Sequence, residues 1–249
     1  MGIIYIGDRS TGKTHLAMEL ANPDSQYVKV TFPDYDQIKS MLYNEEDINP
    51  TSAEQSTINR YIEAQVTLPT GNKEITLDWI DTPGEIWRQN WQADNPSEWN
   101  SFLETVKKSE GILLIIPPYR ELLKRGINVS EEDFITKEQW CTRFQRWLNF
   151  FRSECFQVRH LLICLNMADL FCDIGQEATN LAYEPHNSKM NWQQRNEYVF
   201  RKYFRPIQGD IEKLNRSIYG LSVRCFITSI YNRELLELPW IYLGSYLAV

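Results

Sequence analysis

The sequence predicts an α/β fold in three layers, in which helices cover both faces of a mixed, mostly parallel β-sheet. Two observations lead to this prediction. Short, almost continuous hydrophobic runs recur along the chain, as strands buried on both faces require. Stretches with helical periodicity separate these runs. The clearest runs are residues 3–6, 75–80, 112–116, 161–165 and 223–227.

A third observation makes the predicted sheet mixed. Residues 64–68 and 75–80 flank the sequence PTGNKE, which carries Gly71 and is typical of the turn in an antiparallel hairpin. The clearest helix lies later in the chain, where apolar residues fall at helical spacing. These residues are Trp140, Phe144, Trp147, Leu148 and Phe151.

Length and composition favour a single domain, because 249 residues can bury one large core and no linker divides the chain. The net charge of −7 argues against nucleic-acid binding over a broad basic face. Five cysteines without paired spacing give little support to a disulfide framework or a zinc site, so we expect a reducing cytoplasm. The apolar run 238–249 is too short to span a membrane and is expected to pack as a terminal segment.

Residues 7–14, GDRSTGKT, match the phosphate-binding pattern G-x-x-x-x-G-K-[ST] and follow the predicted strand 3–6. The glycines let successive backbone N–H groups point at phosphate oxygens, and Lys13 adds a positive charge. Thr14 offers a hydroxyl to Mg²⁺ at the start of the next helix. This phosphate-binding loop predicts a nucleoside triphosphate ligand without selecting its base.

Two later motifs also stand at the ends of predicted strands. Asp81 ends the run 75–80, and Gly84 follows three residues later; a carboxylate there can hold Mg²⁺ through water, and the glycine N–H can bind a γ-phosphate. Asn166 and Asp169 follow the run 161–165. A single carboxylate can accept both donor groups of guanine, N1–H and the exocyclic amine, which adenine does not offer together.

Taken in order, the segments 7–14, 81–84, 166–169 and 228–229 resemble the motifs of the translation-factor-class (TRAFAC) P-loop GTPases with a Ras-like small GTPase domain. The resemblance spans the whole chain and implies the three-layer P-loop NTPase fold. It implies GTP and Mg²⁺ binding, slow hydrolysis to GDP, and switch loops that respond to the γ-phosphate and signal to a protein partner.

The resemblance carries over to individual residues. The implied nucleotide-binding residues are Gly7, Arg9, Ser10, Thr11, Gly12, Lys13, Thr14, His15, Asn166, Met167, Asp169, Thr228, Ser229 and Ile230. The implied Mg²⁺ ligands are Thr14, Thr57 and Asp81. Catalytic roles are implied for Lys13 and Gly84, and Glu85 and Arg9 are catalytic candidates although they depart from the family's usual residues.

Several positions leave alternatives open. Thr57 is favoured over Thr51 as the first-switch ligand of Mg²⁺ because of its distance from the hairpin. Met167 replaces the family's usual Lys, and Glu85 replaces its usual Gln, so base affinity and hydrolysis are both in question. Arg9 could reach the γ-phosphate, pair with an acidic neighbour such as Asp8 or Glu85, or point to solvent.

Residues 170–222 form a predicted helical insertion between the two base-recognition motifs. Its aromatic residues fit either helices packed on the domain's own core or a partner-binding face. The sequence therefore predicts a GTP-binding molecular switch within a single domain. The alternatives are a nucleotide-holding module that does not turn GTP over, and an ATP-using P-loop ATPase or kinase.

Overall fold

The computed structural model describes residues 2–8, 11–43, 58–81, 86, 89–127 and 129–247 of the chain. Within these ranges, one sheet contains seven strands. The strands are β1 (Gly2–Gly7), β2 (Val28–Phe32), β3 (Ile58–Leu68), β4 (Gly71–Asp81), β5 (Ser109–Ile116), β6 (His160–Leu165) and β7 (Ser222–Ile227).

Helices alternate with these strands along the chain. They are α1 (Lys13–Ala21), α2 (Tyr35–Tyr43), α3 (Gln89–Asp94), α4 (Pro96–Lys107), α5 (Lys137–Glu154), α6 (Ile174–Leu181), α7 (Trp192–Tyr203), α8 (Gln208–Ser217) and α9 (Arg233–Leu247). Short 3₁₀ turns lie at Arg120–Leu122, Glu131–Asp133, Ala168–Leu170 and Arg205–Ile207. None of the described helices combines the length and the hydrophobicity that crossing a membrane requires.

The sheet confirms the predicted fold class. Its strand order is β2-β3-β4-β1-β5-β6-β7, and β1 pairs in parallel with both β4 and β5. Strands β6 and β7 continue the parallel sheet, whereas β3 runs antiparallel to β4 and β2. The predicted hairpin is confirmed. It is longer than the sequence indicated, since the pairing of β3 with β4 extends from Ile58↔Asp81 to Leu68↔Gly71.

The edge strand β2 did not stand out in the sequence. It is five residues long and its burial is uneven, with Val28 buried and the rest partly or fully exposed. A short edge strand needs one covered face and one ladder of hydrogen bonds, so its hydrophobic signal is weak. Its pairing with β3, through Val28↔Val66, positions it in the fold.

The core lies on both faces of the central strands. In β1, Ile4 and Ile6 are fully buried, as a strand covered on both sides requires. The five apolar residues predicted for the α5 helix are all buried. The terminal apolar run also packs inward, since the residues of α9 from Leu235 to Gly244 are buried against the sheet and neighbouring helices.

The insertion between β6 and β7 contains α6, α7 and α8. Helix α7 packs along β7 and buries Val199 and Tyr203, while Trp192 makes edge contacts with Phe226 and Tyr242. Arg195, a buried residue of α7, donates to the carbonyl oxygens of Leu181, Ala182 and Met190. These contacts favour packing on the domain's own core over a partner-binding face.

Parallel pairing brings the carboxyl ends of the central strands to one edge of the sheet. Gly7 pairs with Ile115, and Ile116 and Ile227 both pair with Leu165. The loops that follow β1, β5, β6 and β7 therefore meet at this edge, where ligands bind in open α/β sheets.

Candidate nucleotide-binding site

The two glycines of the phosphate-binding loop are required by close backbone approaches. A Cβ at Gly7 would lie 2.3 Å from the carbonyl oxygen of Ile115, so only glycine lets β1 run this close to β5 here. Gly12 adopts the left-handed conformation, with φ 79° and ψ 18°, immediately before α1 begins. A Cβ at Gly12 would lie 2.8 Å from Nδ2 of Asn166. Both positions thus exclude a larger residue for a physical reason.

Lys13 lies across the phosphate-binding loop. Its ammonium group donates to the carbonyl oxygens of Gly7, at 3.1 Å, and Asp8, at 3.0 Å, and the residue is only 5% exposed. The hydroxyl of Thr11 also donates to the Asp8 carbonyl, at 2.9 Å. From β1, the Tyr5 hydroxyl donates to the Lys13 carbonyl at 2.9 Å. The loop therefore holds a nearly buried cation over its own backbone.

The Asp8 carboxyl group is directed toward α5. It lines a small pocket together with Arg143 and Trp147, and the Trp147 indole N–H donates to it. Burial raises the pKa of Asp8, whereas the positive charges of Arg143, Lys13 and Arg146 act in the opposite direction. The described partners of this carboxyl group are thus on α5 and on Lys13. Arg9, its proposed partner in one reading of the sequence, lies outside the described residues.

Asn166 connects the phosphate-binding loop to the loops that follow β6 and β7. Its Nδ2 donates to the Thr11 carbonyl at 2.8 Å, and its Oδ1 accepts from the Thr228 hydroxyl at 3.1 Å. Its backbone N–H donates to the Ile116 carbonyl at 2.9 Å. Asn166, Thr11 and Thr228 are all buried. One side chain therefore fixes the relative positions of three loops.

Asp169 lies beside Ser229, which follows β7. The Ser229 hydroxyl donates to Oδ1 of Asp169, and the Tyr231 N–H donates to the Ser229 hydroxyl oxygen at 3.2 Å. The Ala168 N–H donates to the Thr228 carbonyl at 3.0 Å, which joins the two segments through the backbone as well. Ile230, next in the chain, is half-buried. The structure brings the two predicted base-recognition motifs together.

Met167 has a left-handed backbone, with φ 59°, which is unusual for a residue with a side chain. Its terminal methyl carbon lies 3.7 Å from the place where a Cβ on Gly12 would be. The thioether side chain thus packs over the end of the phosphate-binding loop. It contributes apolar contact there, without the charge of a lysine.

The predicted metal ligands are described only in part. Thr14 lies in the first turn of α1, half-buried, and Asp81 ends β4 at the same edge of the sheet. His15 follows Thr14 and is exposed. The other predicted site residues lie outside the described residues; they are Arg9, Ser10, Thr51, Thr57, Gly84 and Glu85.

One contact at the site has no counterpart in the sequence motifs. Lys124, in the connection between β5 and α5, donates from its ammonium group to the Asp169 carbonyl at 3.0 Å. Its backbone N–H donates to the Leu170 carbonyl at 2.9 Å. Neither a motif nor a periodic pattern surrounds Lys124, so only the three-dimensional structure reveals this contact.

No protein-family model matches the chain, and no curated protein matches it significantly in sequence. Among solved structures, it is similar to the signal recognition particle receptor SRb-GTP/SRX complex from Chaetomium thermophilum, with 14% identity, coverage of 100% of this chain and 98% of that chain, and a TM-score of 0.49. A bacterial selenocysteine-specific elongation factor, EF-Sec, shows 12% identity over 98% of this chain and 28% of its own, with a TM-score of 0.42. Both TM-scores lie below 0.5, so the fold rests on the sheet topology and the site on the contacts described above.

Proposed function

We propose that this chain binds GTP with Mg²⁺ and acts as a molecular switch that hydrolyses GTP slowly to GDP. The observation that carries the proposal is the position of Asn166, which ties the phosphate-binding loop to the loops that hold Asp169 and Ser229. A phosphate site and a base site fixed to one another in this way suit a nucleotide, whose two ends must be bound at once.

The phosphate-binding loop fits an anionic group. Gly12 adopts the backbone conformation that curls the loop, and Lys13 holds its ammonium group over that loop. The loop leads directly into α1, whose N-terminal N–H groups favour negative charge. Lys13 can exchange its carbonyl partners for phosphate oxygens and would neutralise charge that develops on the phosphates during hydrolysis.

The base site fits guanine. The Asp169 carboxylate accepts one hydrogen bond from Ser229 in the described structure and has the acceptor capacity to take two more. Guanine offers N1–H and an amine side by side, so one carboxylate accepts both, whereas adenine presents no such pair of donors. Asp169 is half-buried, so a base that leaves its carboxylate unmatched is disfavoured.

Mg²⁺, when bound, supplies positive charge between the phosphates and holds them in position for displacement. Thr14 and Asp81 would hold it, with Thr57 as the proposed ligand from the first switch. Gly84 is proposed to bind the γ-phosphate through its N–H, and Glu85 and Arg9 are proposed to act on the attacking water or on the phosphate charge. We further propose a cytoplasmic location and a protein partner that contacts the switch loops.

Two measurements test the proposal. In thermal melts with added nucleotide, GDP and GTP with Mg²⁺ should raise the melting temperature, and ATP should not. Asp169→Asn replaces an acceptor by a donor, so it should weaken GDP binding and improve binding of xanthosine diphosphate, whose ring has an oxygen at that position. Equal stabilisation by ATP and GTP would refute the base assignment and favour an ATP-using protein.

Hydrolysis needs its own measurement, because binding does not require it. Single-turnover assays with radiolabelled GTP should show slow phosphate release that Lys13→Ala abolishes. Intact GTP that stays bound for hours would refute the enzyme proposal. It would identify the chain as a nucleotide-holding module instead.

A further inference from the structure

The connection between β5 and α5, residues 117–136, reaches the base site through Lys124. One hydrogen bond ties the start of this connection to α5, and another joins its two ends to each other. The Trp140 indole N–H donates to the Pro117 carbonyl at 2.8 Å, and the Arg120 N–H donates to the Ile135 carbonyl at 2.9 Å. The path of the connection therefore defines the position of Lys124.

Lys124 binds the turn that carries Asp169 with two of its own groups. The ammonium group donates to the Asp169 carbonyl, and the backbone N–H donates to the Leu170 carbonyl. These two carbonyls belong to consecutive residues of the 3₁₀ turn Ala168–Leu170. A short 3₁₀ turn has poor internal hydrogen bonding, so outside donors matter more for its geometry than they would in a long helix.

The base loop, which we define as residues 166–170, also lacks positive charge of its own. Met167 stands in the position where related motifs carry a lysine, and no Lys or Arg occurs between residues 161 and 188. Lys124 brings a cation to this loop from a different part of the chain. The charge counteracts the repulsion between the Asp169 carboxylate and an anionic ligand at the same edge of the sheet.

We propose that Lys124 is a positioning residue for guanine recognition. It holds the main chain of Asp169 so that the carboxylate meets the two donors of guanine, and it supplies the positive charge that the base loop lacks. The inference rests on the proposed function, because it assigns Lys124 to the base site of that function.

The effect expected from Lys124 is moderate and depends on salt, because the side chain is exposed to solvent. Loss of the ammonium group should weaken GDP binding about three- to tenfold at low ionic strength. The effect on inosine diphosphate, which lacks the exocyclic amine, should be smaller, because its base presents only one of the two donors that Asp169 accepts. Discrimination between the two ligands should therefore decrease.

The experiment compares Lys124→Met with Arg125→Met and Lys124→Arg. Lys124→Met keeps the backbone N–H and the apolar stem and removes the charge, while Arg125→Met removes the neighbouring exposed cation as a control. Dissociation constants of GDP and inosine diphosphate are measured by titration calorimetry at low and high salt. We expect weaker GDP binding and reduced discrimination only in Lys124→Met, with recovery in Lys124→Arg.

Other outcomes separate the possible failures. If wild-type protein binds no guanine nucleotide, the proposed function is wrong, and the inference about Lys124 is wrong as well. If wild type binds GDP and Lys124→Met leaves both affinities unchanged, the inference alone is overturned. It is also overturned if Lys124→Met lowers the melting temperature of the free protein and weakens both ligands equally, since Lys124 would then be a purely structural contact.

Discussion

Replacement of Asn166 by alanine tests the central contact of the site. The change removes a 2.8 Å hydrogen bond to the Thr11 carbonyl and a 3.1 Å hydrogen bond from the Thr228 hydroxyl. Thr11 is 0% exposed and Thr228 is 2% exposed, so water cannot readily replace the lost partner. With about 1–1.5 kcal/mol for each bond and a further cost for buried groups left unpaired, we expect a loss of about 2–4 kcal/mol in unfolding free energy.

A double-mutant cycle with Gly12 separates this bonding from steric contact. Gly12→Ala places a Cβ 2.8 Å from Nδ2 of Asn166 and strains a backbone with φ 79°. In the Asn166→Ala background the steric part disappears, and only the backbone strain, about 1–2 kcal/mol, remains. The double variant should therefore be more stable than the sum of the two single effects predicts.

The assay is urea unfolding of nucleotide-free protein at 25 °C, followed by tryptophan fluorescence. Asn180→Ala is a matched control, because Asn180 also makes two side-chain hydrogen bonds but is only half-buried. We expect the control to lose less than about 1 kcal/mol. If Asn166→Ala costs no more than the control, or if the cycle is additive, the site is not held together in the way described.

Three further predictions follow from single contacts. Gly7→Ala should prevent folding or abolish GDP binding, since its Cβ would lie 2.3 Å from the Ile115 carbonyl oxygen, and a normally folded, binding-competent variant in circular dichroism and calorimetry would contradict this. Glu237→Gln should cost about 3–5 kcal/mol in urea unfolding, because it leaves the Arg233 guanidinium without its buried carboxylate; a cost below about 1 kcal/mol would contradict this. Burial raises the pKa of Asp8, so the folded protein binds that proton more tightly, and the contribution of Asp8 to the unfolding free energy should fall as pH rises above about 4. Asp8→Asn should not show this fall. If urea unfolding gives parallel pH profiles for the two proteins, the prediction is wrong.

The sequence predicted the fold where burial dictates residue type. Strands β1, β5 and β6 are covered on both faces, so only apolar residues suit them and their runs are conspicuous. Strand β2 is exposed on most of its length, and its residues carry no comparable signal. The hairpin was predicted from Gly71, but its length was not. Tyr61 and Glu63 are exposed and only Ile62 between them is buried, so this part of β3 carries no continuous hydrophobic run.

The candidate site was predicted where its residues are close in sequence. Asn166 and Asp169 follow one strand, and a local motif is enough to place both at the sheet edge. The contact of Lys124 with Asp169 was not predictable, since it spans 45 residues and depends on the path of an aperiodic connection. The direction of the Asp8 carboxyl group was equally inaccessible, because a pattern of residue types does not say which neighbouring helix a side chain will face.

The aromatic residues of the insertion show a different limit of sequence reasoning. The helical spacing of apolar residues is the same for a helix that packs on the domain's own core and for a helix that binds a partner protein. Three-dimensional neighbours decide between these cases. Here Arg195 is 3% exposed and stacks near the rings of Tyr183 and Trp192, which ties α7 to the end of α6.

Helix α9 connects the loop that holds Ser229 to the far end of α1. Arg233, four residues after Ser229, donates to the carbonyls of Leu20, at 2.7 Å, and Val28, at 2.9 Å. The fully buried Glu237 accepts the backbone N–H groups of Gln26 and Tyr27, at 3.0 and 2.8 Å. The segment that is proposed to contact the base is therefore continuous with a helix whose side chains bind the end of α1 and the residues that lead into β2. Because hydrogen bonds from Arg233 and Glu237 hold α1 and the start of β2, a substitution in α9 can change nucleotide affinity without contacting the ligand. The stability of the free variant must therefore be measured before a residue of α9 is assigned a binding role.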